Sequence, residues 1–197
     1  GRMYPVEAVY RPPQSNGEED ADTPHVDAAV RAACEIVAGR ESGDILIFLP
    51  TEENIRDACD LLRGELGADA TVLPLFARLA AGEQRRVFQE APGRKIVVAT
   101  NIAETSLTIP GIRFVIDSGL ARISVYNARS RTTSLPIRPV SRSSADQRKG
   151  RCGRVRDGIC IRLYDEEDYL SRPPYLAPEV LRSNLSEVVL RMLRLGV

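Results

Sequence analysis

Asp44-Ile45-Leu46-Ile47-Phe48-Leu49 is an apolar run that begins with a single carboxylate. It has the length of a strand, and it does not alternate between apolar and polar residues. A strand that is covered on both faces of its sheet needs apolar side chains on both sides. Arg94 to Ala99 and Ile112 to Asp117 are runs of the same kind, and helical patterns lie between them. This alternation predicts an α/β fold in which helices cover both faces of a parallel sheet.

The segments on either side extend this pattern. Further strands are expected at Tyr4 to Tyr10, Thr71 to Phe76 and Gly158 to Tyr164. Helices are expected over about Val26 to Ala38, after Thr51, and over Gly82 to Phe88. Thr51 can cap its helix, because a hydroxyl oxygen there accepts a hydrogen bond from a free main-chain N–H group of the first turn.

The pattern changes after the Ile112 to Asp117 run. Ala121 to Tyr126 and Thr132 to Ile137 alternate apolar and polar residues around Asn127-Ala128-Arg129-Ser130. Alternation about a short polar turn is typical of antiparallel strands. We therefore expect a β-hairpin at about residues 120–138 that projects from the sheet.

Pro173-Pro174 interrupts the chain near its end. We expect one domain over residues 1–172, then a linker and the first helix of another domain over residues 173–197. That helix is predicted at Ser183 to Leu195. Because the chain begins within a predicted strand and without an initiator methionine, we also expect it to be a piece of a longer protein.

Composition excludes several classes of protein. With 43% hydrophobic residues the chain is too apolar to be disordered, and no run approaches the roughly 18 apolar residues that a membrane span needs. Without an apolar export signal, we expect a soluble, cytoplasmic protein without membrane contact. Its four cysteines lack the spacing of a zinc site, so no metal site is expected and reduced thiols are the better interpretation.

Charge is unevenly distributed although the net charge is zero. Residues 1–60 hold 13 acidic and 5 basic side chains, whereas residues 120–160 hold 2 acidic and 10 basic ones. A block this basic attracts phosphates, either of a nucleotide or of a nucleic-acid backbone. A solvated basic surface without a ligand is the alternative interpretation.

The densest polar motif is Gln147-Arg148-Lys149-Gly150-Arg151-Cys152-Gly153-Arg154. Ser144, with Gln147 three residues later, has the pattern of a capping box, so we expect a helix that continues to Arg154. Gln147, Arg151 and Arg154 would then project from one helix face. The glycines cost about 1 kcal/mol each inside a helix, which favours close approach by a large anion over a simple salt-bridged surface helix.

A second polar segment, Ala99 to Ile109, follows a buried strand. Ligands of α/β folds bind at the carboxyl ends of the strands. The hydroxyl and amide groups of this segment can bond phosphates and ribose without reading bases. Such a segment can also serve only to cap a helix.

Together these motifs resemble the second RecA-like domain of the DEAH-box helicases of superfamily 2, and most of all their bacterial HrpA-type members. Ile47 to Thr51 resembles motif IV, Leu73 to Leu79 motif IVa, Thr100 to Ile109 motif V, and Gln147 to Arg154 motif VI. The resemblance covers nearly the whole chain with the motifs in the family's order. It implies a RecA-like fold, with the Ser183 to Leu195 helix opening a winged-helix domain.

The resemblance also implies roles for single residues. Arg151 and Arg154 would be arginine fingers on the γ-phosphate of ATP, with Gln147 positioning the phosphate or the attacking water. Phe88 would stack on the adenine, and Thr108 would lie near the ribose. The residues that would contact the RNA backbone are Thr51, Thr100, Thr105 and Ser106. The hairpin would be the wedge that separates a duplex.

The sequence lacks the GxxxxGK[ST] phosphate loop and the DExH carboxylate motif, and Lys95 and Lys149 are its only lysines. In the family those motifs lie on the first RecA-like domain. We therefore expect half of an ATPase site, with Mg²⁺ held by the missing domain and no hydrolysis by this chain alone. The expected partners are that domain and RNA. A non-catalytic module that binds single-stranded RNA, and a helicase acting on DNA, are the alternatives.

Overall fold

The computed structural model describes residues 4–13, 23–39, 41–105, 107–127, 132–176 and 194. The sheet strands are β1 (Val6–Tyr10), β2 (Asp44–Phe48), β3 (Ala70–Leu75), β4 (Arg94–Ala99), β5 (Ile112–Asp117) and β10 (Gly158–Arg162), with four short strands between β5 and β10. The six pair in parallel in the order β1-β10-β5-β2-β4-β3. The predicted α/β fold is confirmed, and each expected strand lies within two residues of its predicted ends.

The helices are α1 (Pro24–Ala38), α2 (Glu52–Leu66), α3 (Ala81–Arg86), α4 (Ile102–Thr105), α5 (Arg142–Lys149) and α6 (Glu166–Ser171), and Gly67–Asp69 forms a 3₁₀ turn. Thr51 caps α2 as expected, because its hydroxyl oxygen accepts the N–H of Asn54. Glu52 and Glu53 follow in the first turn, where the helix dipole favours negative charge. No helix within the described ranges is long and apolar enough to span a membrane.

The strands divide their side chains between two cores, because successive residues of a strand point to opposite faces. On one face, Ile45, Ile47 and Ile116 pack against α1 and α2; we call it the α1–α2 face. On the other, which we call the α5 face, Leu46, Phe48 and Val115 are covered by loops and short helices. Helices therefore flank both faces. The residues that cover the α5 face include Val87, Ala103, Leu107, Ile109 and Cys152.

The predicted hairpin is confirmed, and its strands are hydrogen-bonded to each other over two separate stretches. β6 (Leu120–Arg122) pairs antiparallel with β9 (Ile137–Pro139), and β7 (Val125–Asn127) pairs with β8 (Thr132–Ser134). Residues 128–130 of the predicted turn, and residue 131 after it, lie outside the described residues. Ser106 and, apart from position 194, the predicted Ser183 to Leu195 helix do so as well.

The prediction that a helix starting at Ser144 continues to Arg154 was wrong at both ends. Ser141 is the cap, its side chain accepting the N–H of Ser144, and α5 ends at Lys149. Gly153 has a φ of +74°, a left-handed conformation that is incompatible with a right-handed helix. A Cβ there would collide with Val6 Cγ2 and lie 2.9 Å from Tyr4 O, so this glycine allows the chain to pack beside β1.

Candidate functional site

Two arginine side chains reach from the segment after α5 to the loop before β5. Arg151 Nη1 donates to Leu107 O at 3.2 Å, and Arg154 Nη1 donates to Thr108 Oγ1 at 3.0 Å. Both border a narrow crevice on the α5 face, whose floor includes Leu46. The structure thus brings together three of the predicted site residues.

This pair places two positive charges beside each other. Among the described residues, neither Arg151 nor Arg154 forms an ion pair with a carboxylate. Burial and the neighbouring Arg154 charge lower the pKa of Arg151, while Glu104 opposes them. A guanidinium stays protonated in proteins, so the two charges face one another and would be stabilised by an anion.

Gln147 is separated from the two arginines by the end of α5. Its side chain is exposed and lines a cleft that also contains Asn101 and Glu104. Its main-chain oxygen accepts a long hydrogen bond, 3.4 Å, from Arg151 Nε. The prediction that Gln147, Arg151 and Arg154 share one helix face was therefore wrong, because α5 ends between Gln147 and Arg151.

Phe88 follows α3 with its residue surface 41% exposed. The preceding residue, Val87, is fully buried in the same apolar cluster as Leu107 and Ile109. This packing fixes Phe88 on the α5 face, the face that also carries Thr108. An exposed aromatic ring on this face offers a flat apolar surface to a ligand.

The predicted RNA-contacting residues follow two neighbouring strands. Thr51 comes after β2 and Thr100 after β4, and β2 pairs with β4 in parallel, so both lie at one sheet edge. Thr51 is buried and its oxygen is engaged in the α2 cap, whereas Thr100 is partly exposed. Thr105 is the exposed last residue of α4.

A buried arginine connects the two polar motifs, and the sequence analysis missed it. Arg148 Nε donates to Glu104 Oε2 at 3.0 Å, and its Nη1 donates to Asp117 Oδ1 at 2.7 Å. Its guanidinium carbon lies 4.9 Å from the centre of the Phe48 ring. Arg148 was counted among the phosphate-attracting charges, but it is only 1% exposed. Asp117 could have indicated this buried arginine in the sequence, because a carboxylate at the end of a buried strand requires a cationic partner.

The arrangement suits a ligand that carries phosphates. Two guanidiniums that form no ion pair with any described carboxylate can form paired, charge-assisted hydrogen bonds with phosphate oxygens. An exposed aromatic ring stands on the same face of the sheet. Within the described ranges no three His, Cys, Asp or Glu side chains are grouped so as to hold a metal ion.

Known proteins match this chain over its whole length. The chain is 53% identical to the ATP-dependent RNA helicase HrpA of Escherichia coli (strain K12), and 50% identical to its homolog of Haemophilus influenzae (strain ATCC 51907 / DSM 11121 / KW20 / Rd). Each match covers 100% of this chain and 15% of the relative. The structure of the Escherichia coli DEAH/RHA helicase HrpB matches with a TM-score of 0.88 and 37% identity, over 100% of this chain and 24% of that one.

The matches also identify the fold and the family of the chain. The shared structure identifies the six-stranded sheet as a RecA-like helicase fold. Residues 28–156, well over half of the chain, match the family model described as the helicase conserved C-terminal domain. The chain therefore belongs to the family of helicase C-terminal domains and is similar throughout its length to DEAH-box helicases of the HrpA type.

Proposed function

We propose that this chain is the C-terminal helicase domain of an ATP-dependent DEAH-box RNA helicase. In that protein it supplies arginine fingers and RNA-backbone contacts for ATP-driven unwinding and translocation. The observation that carries the proposal is the pair Arg151 and Arg154, which lie beside Thr108 without a described carboxylate partner. The similarity to proteins named ATP-dependent RNA helicases supports it.

Arg151 and Arg154 neutralise charge on the γ-phosphate as it is transferred, the step at which an arginine finger acts. Gln147 positions the phosphate or the attacking water from the end of α5. Phe88 stacks on the adenine, and Thr108 lies near the ribose. Since a phenyl ring can stack on any base, this contact leaves selectivity between nucleoside triphosphates loose.

RNA lies along the strand edge in this proposal. Thr51, Thr100, Thr105 and Ser106 contact its backbone, and the hairpin at about residues 120–138 separates the duplex. Contacts to phosphate and sugar do not depend on base sequence, which suits a protein that moves along a strand. The position of Thr51 and Thr100 at one edge of the sheet supports this path.

The rest of the ATPase site belongs to another domain. The chain spans about 15% of the length of its HrpA relatives, and its sequence has no phosphate loop. We propose that the first RecA-like domain of the same cytoplasmic protein holds the phosphates and Mg²⁺. Residues 1–172 then form the second RecA-like domain, and residues 173–197 a linker and the first helix of a winged-helix domain.

The test is Arg154→Ala in the full-length protein that contains this chain. Loss of a finger should lower ATP turnover about 10³-fold or more, while RNA affinity changes little. Arg156→Ala is a matched control, because Arg156 is exposed in the same segment but donates to Ser42 Oγ at 2.8 Å. The control variant should hydrolyse ATP at the wild-type rate.

The opposite result identifies the alternative function. If turnover stays within a few-fold while RNA affinity collapses, the chain is a non-catalytic RNA-binding module, for which the basic block of residues 120–160 would be sufficient. Stimulation of the ATPase by RNA and by DNA, compared at one salt concentration, separates an RNA helicase from a DNA helicase.

A further inference from the structure

Lys95 is a buried lysine that holds the main chain around Phe88. It is 4% exposed, and its side chain lies on the α5 face of β4, because it alternates with Ile96 and is in step with Val97 of that face. Its Nζ donates to Val87 O at 2.9 Å and to Gln89 O at 3.2 Å, the carbonyls on either side of Phe88. One ammonium group thus holds the carbonyl groups of both residues next to Phe88.

Asp44 balances the charge of this lysine. Its Oδ2 lies 3.7 Å from Lys95 Nζ, and its Oδ1 accepts the main-chain N–H of Lys95 at 3.1 Å. Asp44 is the first residue of β2, and Lys95 is the second residue of the neighbouring strand β4. Because a buried ammonium is costly unless it is paired and hydrogen-bonded, the carboxylate allows Lys95 to occupy this position.

The same carboxylate packs against the loop that carries Thr108. The main-chain N–H of Asp44 donates to Gly111 O at 3.0 Å. Gly111 has a φ of +83°, and a Cβ on it would lie 2.5 Å from Asp44 Oδ2. Lys95 and Asp44 therefore connect two segments, the turn that presents Phe88 and the loop that presents Thr108 to Arg154.

We propose that Lys95 is a positioning residue for the nucleobase of the bound nucleotide. Lys95 and Asp44 hold the Phe88 turn at a fixed distance from the Thr108 loop, so that base and ribose are held together. This inference rests on the proposed function, in which Phe88 stacks on adenine. The main-chain hydrogen bonds of the turn itself, Phe88 N–H to Arg85 O and Gln89 N–H to Arg86 O, both at 3.1 Å, are local to it and do not reach the sheet.

The test is Lys95→Met in the full-length protein, which removes the ammonium group and keeps an unbranched side chain. KM for ATP should rise about tenfold, within the range expected for a weakened base–aromatic stack, while kcat stays within about twofold. Inhibition by inorganic tripolyphosphate, which has phosphates and no base, should be unchanged. A general loss of structure would weaken the binding of both ATP and tripolyphosphate, and that result would overturn the proposal.

Combining the variant with Phe88→Ala shows whether Lys95 acts through the ring. If it does, Lys95→Met raises KM no further when Phe88 is already alanine. An undiminished further rise would overturn the inference. Should Phe88→Ala itself leave KM unchanged, the adenine contact of the proposed function fails and this inference fails with it.

A second variant and a control complete the experiment. Lys95→Gln is used if Lys95→Met does not fold, because its amide can still donate to one carbonyl and should raise KM less than the full loss of Phe88 does. A KM unchanged in a folded Lys95→Gln protein overturns the inference. Arg31→Met, an exposed change on α1 at the opposite face, should leave KM for ATP unchanged.

Discussion

Arg148 Nη1 lies 2.7 Å from Asp117 Oδ1, and both side chains are buried from solvent. The other Asp117 oxygen, Oδ2, accepts the hydroxyl of Tyr164 at 3.0 Å. Glu104 on α4 forms a second ion pair with the same side chain, so one guanidinium joins the segment after β4, the end of β5 and α5. The motif that carries the proposed arginine fingers is therefore attached by a buried arginine to the motif that carries the proposed RNA contacts.

Replacing Arg148 with alanine should destabilise the chain strongly. The change leaves Asp117 buried without its cation, and removal of one partner of a buried pair costs about 3–5 kcal/mol. Urea unfolding of the purified chain measures this loss. Arg138→Ala, an exposed change on β9, is the control and should stay within about 0.5 kcal/mol. A loss below about 1 kcal/mol for Arg148→Ala would show that the pair is not fully desolvated.

Substitution by alanine should change the stability of the chain in opposite directions at two glycine positions. Gly153 has a φ of +74° and packs against Tyr4 and Val6, so Gly153→Ala should cost about 1–3 kcal/mol. Gly64 lies within α2 with nothing within 4 Å of an added Cβ, so Gly64→Ala should gain about 0.5–1 kcal/mol. Thermal unfolding of both variants checks the pair. A neutral Gly153→Ala would contradict the tight packing beside β1.

Stability should fall at alkaline pH because of buried thiols. Burial raises the pKa of Cys59 to about 11 and that of Cys152 to about 12, from a model-compound value of 9.0. Above pH 9 the unfolded chain releases these protons while the folded chain keeps them, so each thiol lowers the free energy of unfolding as pH rises. The loss is absent below pH 9 and continues up to pH 11 for Cys59 and pH 12 for Cys152.

Urea midpoints at pH 8 and pH 10 measure this dependence. Between those values the wild type should lose more stability than Cys59→Ala, since the variant lacks one of the titrating groups. The maximum slope is about 1.4 kcal/mol per pH unit for one thiol. Equal losses in the two proteins would mean that Cys59 is not protected from ionisation by burial.

The sheet could be predicted from sequence because its signal is local. Ile45 to Leu49 and Ile96 to Ala99 are apolar without interruption, which is typical of a strand that is covered on both faces of its sheet. The end of α5 could not be predicted in the same way. The helix ends at Lys149, and the chain beyond it packs beside β1, where Gly153 contacts Tyr4 and Val6, far away in sequence.

The candidate site could be predicted only in part, because the sequence does not show which side chains are buried or how the strands are paired. Motif resemblance identified Arg151, Arg154 and Thr108, which the fold does bring together. It could not distinguish Arg148, since the sequence shows a basic residue among others and burial decides its role. The pairing of Lys95 with Asp44 depends on the register of β2 against β4, which the sequence alone does not specify.

The predicted adenine contact can be tested through its lack of base selectivity. Phe88→Ala in the full-length protein should raise KM for ATP, GTP, CTP and UTP by a similar factor, about tenfold, because every base has a face that stacks on phenylalanine. The turnover number should change little, since the ring contacts the base and not the transferred phosphate. Steady-state hydrolysis with each nucleotide provides the measurement.

Leu61→Ala is the matched control for this change. Leu61 is 45% exposed on α2, close to the 41% of Phe88, but it lies on the helix layer that covers the opposite face. Its loss should leave all four KM values unchanged. An increase confined to ATP in Phe88→Ala would mean that the site recognises the adenine edge through hydrogen bonds, and stacking on Phe88 would then be insufficient to describe nucleotide binding by this domain.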